Sequence, residues 1–318
     1  MAEEGSGKFN NAPRGGHGTE KSGGSGHVPV LLEPAIEFLA VQRGGTYIDA
    51  TVGLGGHSYE IAKRLGAQGR LIGFDKDTNA LERARTRLSE PPPELKAEWP
   101  GITLLHGSFA EVGERVPAGS ADGLLADLGI SSMQLEDAAR GFSFQAEGPL
   151  DMRMNPMSEL TADQVVNRMS ERELADVIYE FGEERRSRRI ARAIVRARPI
   201  RTTAHLAQVI SAAARSMKHE RIHPATRTFQ GIRIFVNREL DDLRALLSSA
   251  PGVLKQSGRL VMISFHSLED RIVKDAMREG AQKGIYALLT KKPVTASEVE
   301  IDKNPRSRSA KLRAAGRN

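Results

Sequence analysis

Apolar positions along residues 28–128 alternate between two periods. Short runs rich in β-branched or aromatic residues read as strands, and stretches with apolar residues at three- and four-residue steps read as helices. Val28 to Ala40, with Leu31, Leu32, Ile36, Phe38 and Leu39, predicts a lead-in segment and a helix beside the first strand. Tyr47, Ile48 and Val52 predict that strand, Gly53, Gly55 and Gly56 a sharp turn, and Tyr59, Ala62 and Leu65 one face of the helix that follows. Arg70 to Phe74 predicts a second strand ending at Asp75, and Thr78 to Leu88 a helix. Ile102 to Leu105 predicts a third strand, and Ala121 to Leu128 a fourth with Asp127 near its tip. Strands separated by helices pair in parallel through right-handed crossovers, which brings their carboxyl ends to one crevice.

Beyond Gly129 the rhythm changes, and from Gln134 to Arg227 the pattern is helical throughout. Thr161 with Gln164 and Ser170 with Glu173 have capping-box spacing, Gly182 stops the helix carrying Leu174, Val177, Ile178 and Phe181, and Thr203 caps the next. A long helix from Thr228 to Ser248 is expected to present Ile232, Phe235, Val236, Leu240, Leu243 and Leu247 on one face. Gly258 to Phe265 is the clearest strand, a helix runs from Leu268 to Glu279, and Ile285–Leu289 and Ser309–Ala314 supply the last two strands. The expected fold class is α/β, a Rossmann-like domain with a mostly parallel sheet interrupted by an inserted α-helical domain. The sheet domain covers 27–133 and 228–318, the insert 134–227, and residues 1–26 form a tail of Gly, Ser, Asn and charged residues too poor in apolar side chains to order.

Composition narrows the chemistry. The chain has 318 residues, 39% of them hydrophobic, enough for at least one full core, and no cysteine. Disulfides, thiolate metal sites and a cysteine nucleophile are thereby excluded. A net charge of +6 suits an anionic partner without demanding one. No apolar run approaches the ~20 residues needed to span a bilayer, and the N-terminus lacks a signal-peptide core, so a cytoplasmic protein with no membrane partner is expected. A homodimer is one assembly the sequence allows.

The stretch Tyr47 to Ser58 organises the rest. Gly53-Leu54-Gly55 begins the dinucleotide fingerprint G-x-G-x-x-G, but Ser58 stands at its third glycine, which counts against a nicotinamide enzyme. The nearer pattern is that of S-adenosylmethionine methyltransferases, with Asp49, Gly53 and Gly55 in place and Thr51 at the first glycine. Asp75, at the tip of the second strand, is placed to accept hydrogen bonds from ribose hydroxyls. His57 at the helix start either caps and packs, acts as a base, or binds the cofactor's methionine carboxylate at the helix N-terminus. Phe109 either packs in the core or stacks on adenine. Arg185, Arg188, Arg189, Arg192 and Arg196 recur at helical spacing opposite Ile190 and Ile194, as a solvated face or a phosphate-binding one. His266, Asp270 and Arg271 form a buried polar network or reach a nucleic acid.

The runs Gly-Gly-His-Ser (55–58), Arg-Gly-Phe-Ser-Phe (140–144), Gly-Pro-Leu-Asp-Met-Arg-Met (148–154), His-Pro-Ala-Thr-Arg-Thr-Phe-Gln (223–230) and Ser-Phe-His-Ser-Leu-Glu-Asp-Arg (264–271) resemble the ribosomal small-subunit RNA methyltransferase H family over His27 to Arg313. The resemblance implies a methyltransferase domain with a helical insert that methylates N4 of a cytidine in the decoding region of 16S rRNA, with the small ribosomal subunit as partner and S-adenosyl-L-methionine as cofactor. It further implies that Gly55, Gly56 and His57 form the cofactor turn, that Asp75 binds ribose, and that Phe109, Asp127 and Gln134 contact the cofactor. Asp127 is expected to accept the N4 proton, or else only to bind cofactor. Many amino methyltransferases carry Asp-Pro-Pro-Tyr after the fourth strand, whereas this chain has Asp127-Leu128-Gly129-Ile130, so the usual base clamp is altered. The absent cysteine argues against methylation at cytosine C5. The alternative is a non-catalytic RNA-binding assembly factor on the same fold.

Overall fold

The computed structural model describes residues 29–214 and 222–318, so the expectation of a tail over residues 1–26 lies outside the described residues. Within them, β1 (Thr46–Asp49), β2 (Arg70–Asp75), β3 (Gly101–His106), β4 (Ala121–Asp127), β5 (Leu254–Ser264), β6 (Tyr286–Leu288) and β7 (Lys311–Arg317) form one sheet in the order β3-β2-β1-β4-β5-β7-β6. Pairings from β3 across to β5 are parallel, and β7 runs antiparallel to both β5 and β6. At the centre Ile48 sits between Ile72 and Leu124, so β1 is flanked on both sides and its apolar residues are buried. The strand order reverses beside β1, and there a ligand crevice opens at the carboxyl ends.

Alternation along the strands builds the two cores. Ile48, Leu124, Leu260 and Met262 face one layer, which holds the helices Glu239–Val253 and Ser267–Gln282. Their neighbours Tyr47, Leu125, Val261 and Ile263 face the other, with the helices Leu32–Leu39, Gly56–Leu65 and Thr78–Leu88. A side-chain period of two on strands apolar on both faces produces this division. The methyltransferase-type α/β fold expected from the sequence is the one observed. The lead-in helix lies over β4, β5 and β7 rather than beside β1.

A third cluster is purely helical. The helices Ala162–Arg168, Glu171–Glu180, Ser187–Arg196, Thr203–Ala214 and Ala225–Asn237, all between β4 and β5, bury Val165, Leu174, Ile178, Ile190, Ile194, Leu206, Ile210, Phe229 and Ile232 together. The long helix expected over 228–248 is two helices. Arg238 adopts left-handed φ +53° between them, so Phe229, Ile232 and Val236 join the helical cluster while Leu243 and Leu247 join the sheet. The boundary expected at 227/228 therefore falls inside a helix, as does the one at Gln134, which lies in Ser132–Glu136. Both capping boxes form, at Thr161/Gln164 and Ser170/Glu173. Thr203 does not cap its helix. The Thr202 hydroxyl accepts the His205 amide, while the Thr203 hydroxyl donates to the Ala146 carbonyl and accepts the Gly148 amide. Among the described residues no helix is long and apolar enough to cross a membrane.

Candidate active site

The turn after β1 is shaped by glycine. Gly53 and Gly55 both adopt left-handed φ, +53° and +75°, which L side chains resist. A Cβ on Gly56 would collide with the Pro29 ring, so the lead-in segment closes directly over the helix start. Asp49, fully buried behind the turn, accepts from the Ser58 hydroxyl at 2.5 Å and the Thr51 amide at 3.1 Å, and burial pushes its pKa up to about 6. Thr51, at the position of the first glycine of the usual pattern, has its own task. Its hydroxyl accepts the Asp127 amide at 2.6 Å and ties the turn to the tip of β4.

These elements enclose a cavity of about 330 Å³ at the carboxyl ends of β1, β2, β4 and β5, within the size range of small-molecule sites. Asp75, Phe109, Asp127, His57, Gly56 and Gln134 line it together. Gly55 does not; it sits behind the turn, where a Cβ would lie 3.3 Å from that of Ala84. Asp75 accepts the Gly53 and Asp77 amides, each at 2.8 Å, leaving lone pairs toward the cavity, and burial raises its pKa to about 6. Phe109 begins a short 3-10 turn after β3, held by the Ser108–Glu111 capping box. Gln134 is engaged in the protein itself, with Oε1 accepting the Ser131 amide and Nε2 donating to Asp77.

Asp127 is the least satisfied polar group here. Its Oδ1 is buried with no hydrogen-bond partner among the described residues, and its Oδ2 lies 3.7 Å from His57 Nδ1. Burial, then the charges of Asp49 and Glu269, hold its pKa well above the usual carboxylate range. His57 is itself buried, and its Nε2 meets the Val30 carbonyl at 3.1 Å. Its ring nitrogens thus lie near Val30 and Asp127, and the residue lines the cavity.

Three features were not legible in advance. Arg233 lines the cavity and forms a bidentate pair with Glu239 at 2.9 and 2.8 Å, beside Glu269. Glu239, His266 and Glu269 each bring a ligand-type atom within 4.8 Å of the others. Arg233 already neutralises Glu239, so a charge-balanced network describes this group better than a cation cage. Phe265, just beyond β5, also lines the cavity, and its place at a strand tip was the available signal. Arg140, from the Arg-Gly-Phe-Ser-Phe run, pairs with fully buried Asp77 at 2.7 Å and donates to the Arg153 and Met154 carbonyls. That run locks the connection between sheet and helical layer.

The arginines behave differently from the cavity residues. Arg188, Arg189, Arg192 and Arg196 are exposed on the helix Ser187–Arg196, opposite buried Ile190 and Ile194, and Arg192 pairs with Glu171 at 3.2 Å. Arg185 lies in the turn before that helix, not on its face, and none of these arginines lines the cavity. Asp270 is part of a polar network, bonded to Arg313 at 2.7 Å and Lys311 at 3.2 Å, while exposed Arg271 pairs with Glu183.

The sequence profile described as the MraW methylase family matches residues 24–318. Proteins called ribosomal RNA small subunit methyltransferase H are similar throughout. The one from Koribacter versatilis is 73% identical over 97% of this chain and 98% of its own length. Those from Acidobacterium capsulatum and Solibacter usitatus are 65% and 50% identical, each over 91% of this chain and 97% and 98% of their own lengths.

Proposed function

The chain belongs to the MraW methylase family, and from that premise we propose that it methylates the exocyclic N4 amine of a cytidine in the decoding region of 16S rRNA, within the small ribosomal subunit. The cofactor is S-adenosyl-L-methionine, which supplies an activated methyl carbon. The residues around the cavity fit it. Asp75 offers acceptors for vicinal hydroxyls, Phe109 a ring for a purine, and the glycine turn a close backbone approach. The observation that carries the reading is the Asp127 carboxyl, which lines that cavity and keeps a buried Oδ1 without a hydrogen-bond partner among the described residues.

Cytosine N4 is a poor nucleophile because its lone pair is delocalised into the ring. Transfer to it depends on positioning and on an acceptor that takes an N4 hydrogen and frees the lone pair. The Asp127 carboxyl is that acceptor. His57 stands beside that carboxyl, with Nε2 at 3.1 Å from the Val30 carbonyl and Nδ1 at 3.7 Å from Asp127 Oδ2, so the ring helps to orient the group that takes up the N4 proton.

The target base must leave its stack to enter the crevice, so an unpaired or splayed cytidine is the substrate form. We assign the helical insert the RNA side, with the arginine face of Ser187–Arg196 on phosphates. Incubation with labelled S-adenosyl-L-methionine and unmethylated small subunits, followed by nucleoside mass mapping, tests the whole reading. Label on cytosine N4 is expected. Tight RNA binding without cofactor affinity would return the non-catalytic assembly factor instead.

A further inference from the structure

A second concavity, of about 690 Å³, lies beside the active site where the helical cluster meets the helix Ser267–Gln282. Its floor carries Tyr179, from the last turn of Glu171–Glu180 and 60% exposed, together with Leu268. Tyr179 thus offers an exposed aromatic face within the concavity. Arg185 and Arg227 line the same concavity, both exposed and with no side-chain hydrogen bond or ion pair among the described residues. Arg271 completes the rim, where Glu183 accepts from it and from the Ser267 hydroxyl, so that acid is already neutralised and only Glu180 opposes the arginines.

The backbone holds these groups together. Gly182 has no side chain, and a Cβ there would collide with the Arg227 carbonyl, so the start of Ala225–Asn237 packs directly on the turn after Tyr179. Glu183 adopts left-handed φ +49° in that turn. The groove also has a fixed relation to the cavity. One helix, Ala225–Asn237, bears Arg227 at the groove and Arg233 at the cavity, about 9 Å apart along its axis and about 120° apart around it. The groove is therefore a neighbouring site on another face of that helix, outside the cavity that takes the target base.

We propose that this groove binds a nucleotide flanking the methylated cytidine, with Tyr179 as the stacking platform and Arg185 and Arg227 as phosphate ligands. The inference rests on the RNA-methylation reading and adds a subsite to it. Stacking on an aromatic side chain tolerates any base, and cations in the same groove hold the backbone of a single strand. The subsite therefore contributes affinity and register, while the cavity chooses the base.

The test uses the full chain with unmethylated small subunits, reading equilibrium binding and steady-state methylation separately. Tyr179→Ala is expected to raise both Kd and KM for the subunit about 5- to 100-fold, with kcat and cofactor affinity unchanged. Tyr179→Phe is expected to stay near the parent protein. Arg227→Ala is expected to weaken binding and reduce the salt dependence by about one phosphate. Parent-like Kd in both Tyr179→Ala and Arg227→Ala overturns the proposal, as does failure of the parent protein to bind subunits at all. A parent protein that binds subunits but leaves N4 unmethylated overturns the functional reading alone, because the groove is still scored by the change in Kd.

Discussion

His57 holds its Nδ1 3.7 Å from Asp127 Oδ2, while its Nε2 is fixed on the Val30 carbonyl at 3.1 Å. The lead-in segment thus sets the orientation of a ring that faces the tip of β4. A protonated Asp127 carboxyl has no place for the N4 proton, so catalysis requires the carboxylate. Burial with Asp49 and Glu269 nearby raises the Asp127 pKa, which moves the protonation limiting the reaction upward from the ordinary carboxylate range of about 4. Activity is therefore expected to fall as pH drops through a limb lying well above about pH 4. Asp127→Asn is expected to lower kcat by about 10²- to 10⁴-fold with much less effect on cofactor affinity. A flat acid limb, or an active Asn variant, would remove Asp127 from the proton path.

Asp49 gives a prediction of opposite kind, about stability. Burial raises its pKa from 3.8 to about 6 despite the Ser58 and Thr51 donors, a difference of about 3 kcal/mol. A folded-state pKa above the unfolded one means the native chain binds more protons between those values. The group's stabilising contribution is complete below about pH 4 and is lost as pH rises through about 6. Asp49→Asn is expected to gain up to about 3 kcal/mol on the parent protein between about pH 4 and about pH 8, in urea unfolding without cofactor. An identical difference at both pH values would sink the assignment.

Arg140 and Asp77 carry the connection between the two layers. Asp77 is fully buried and accepts from Arg140, Gln134 and the Asn79 amide. Removing the guanidinium leaves a buried carboxylate short of its counter-charge and frees the Arg153 and Met154 carbonyls. Arg140→Ala is expected to cost about 3–5 kcal/mol in chemical denaturation. A loss below about 1 kcal/mol would mean that water replaces the ion pair without penalty.

How much of this was legible follows from what each residue needs. Strand tips are local, so Asp75 and Asp127 were placed correctly from apolar runs alone. The helix Thr78–Leu88 has the expected ends because its period and its Asp77 cap agree. Arg238 breaks a continuous apolar stripe through left-handed backbone that arginine composition does not announce, and Arg185 leaves its stripe because the same conformation at Glu183 turns the chain. The His57–Val30 and Arg233–Glu239 contacts depend on how distant segments pack, which no local period encodes. Thr202 and Thr203 show the limit at single-residue scale, since either hydroxyl suits a cap and only the path of residues 146–148 assigns the roles.

The arginine face remains to be separated from an ordinary solvated surface. On Ser187–Arg196, Arg188, Arg189 and Arg196 have no ion pair among the described residues, and only Arg192 is paired, with Glu171 at the surface. Exposed pairs of that kind contribute about 0–1 kcal/mol, so Arg192 remains available to a stronger anion. Replacing Arg189 and Arg192 together by alanine leaves buried Ile190 and Ile194 untouched and should not unfold the helix. If these arginines neutralise phosphates, binding to small subunits weakens and the slope of log K against log salt flattens by about 0.7–0.9 for each phosphate no longer neutralised. The cofactor's affinity stays the same, since neither residue lines the cavity. Unchanged affinity and unchanged salt slope would reduce the stripe to solvation and leave RNA recognition to the groove around Tyr179.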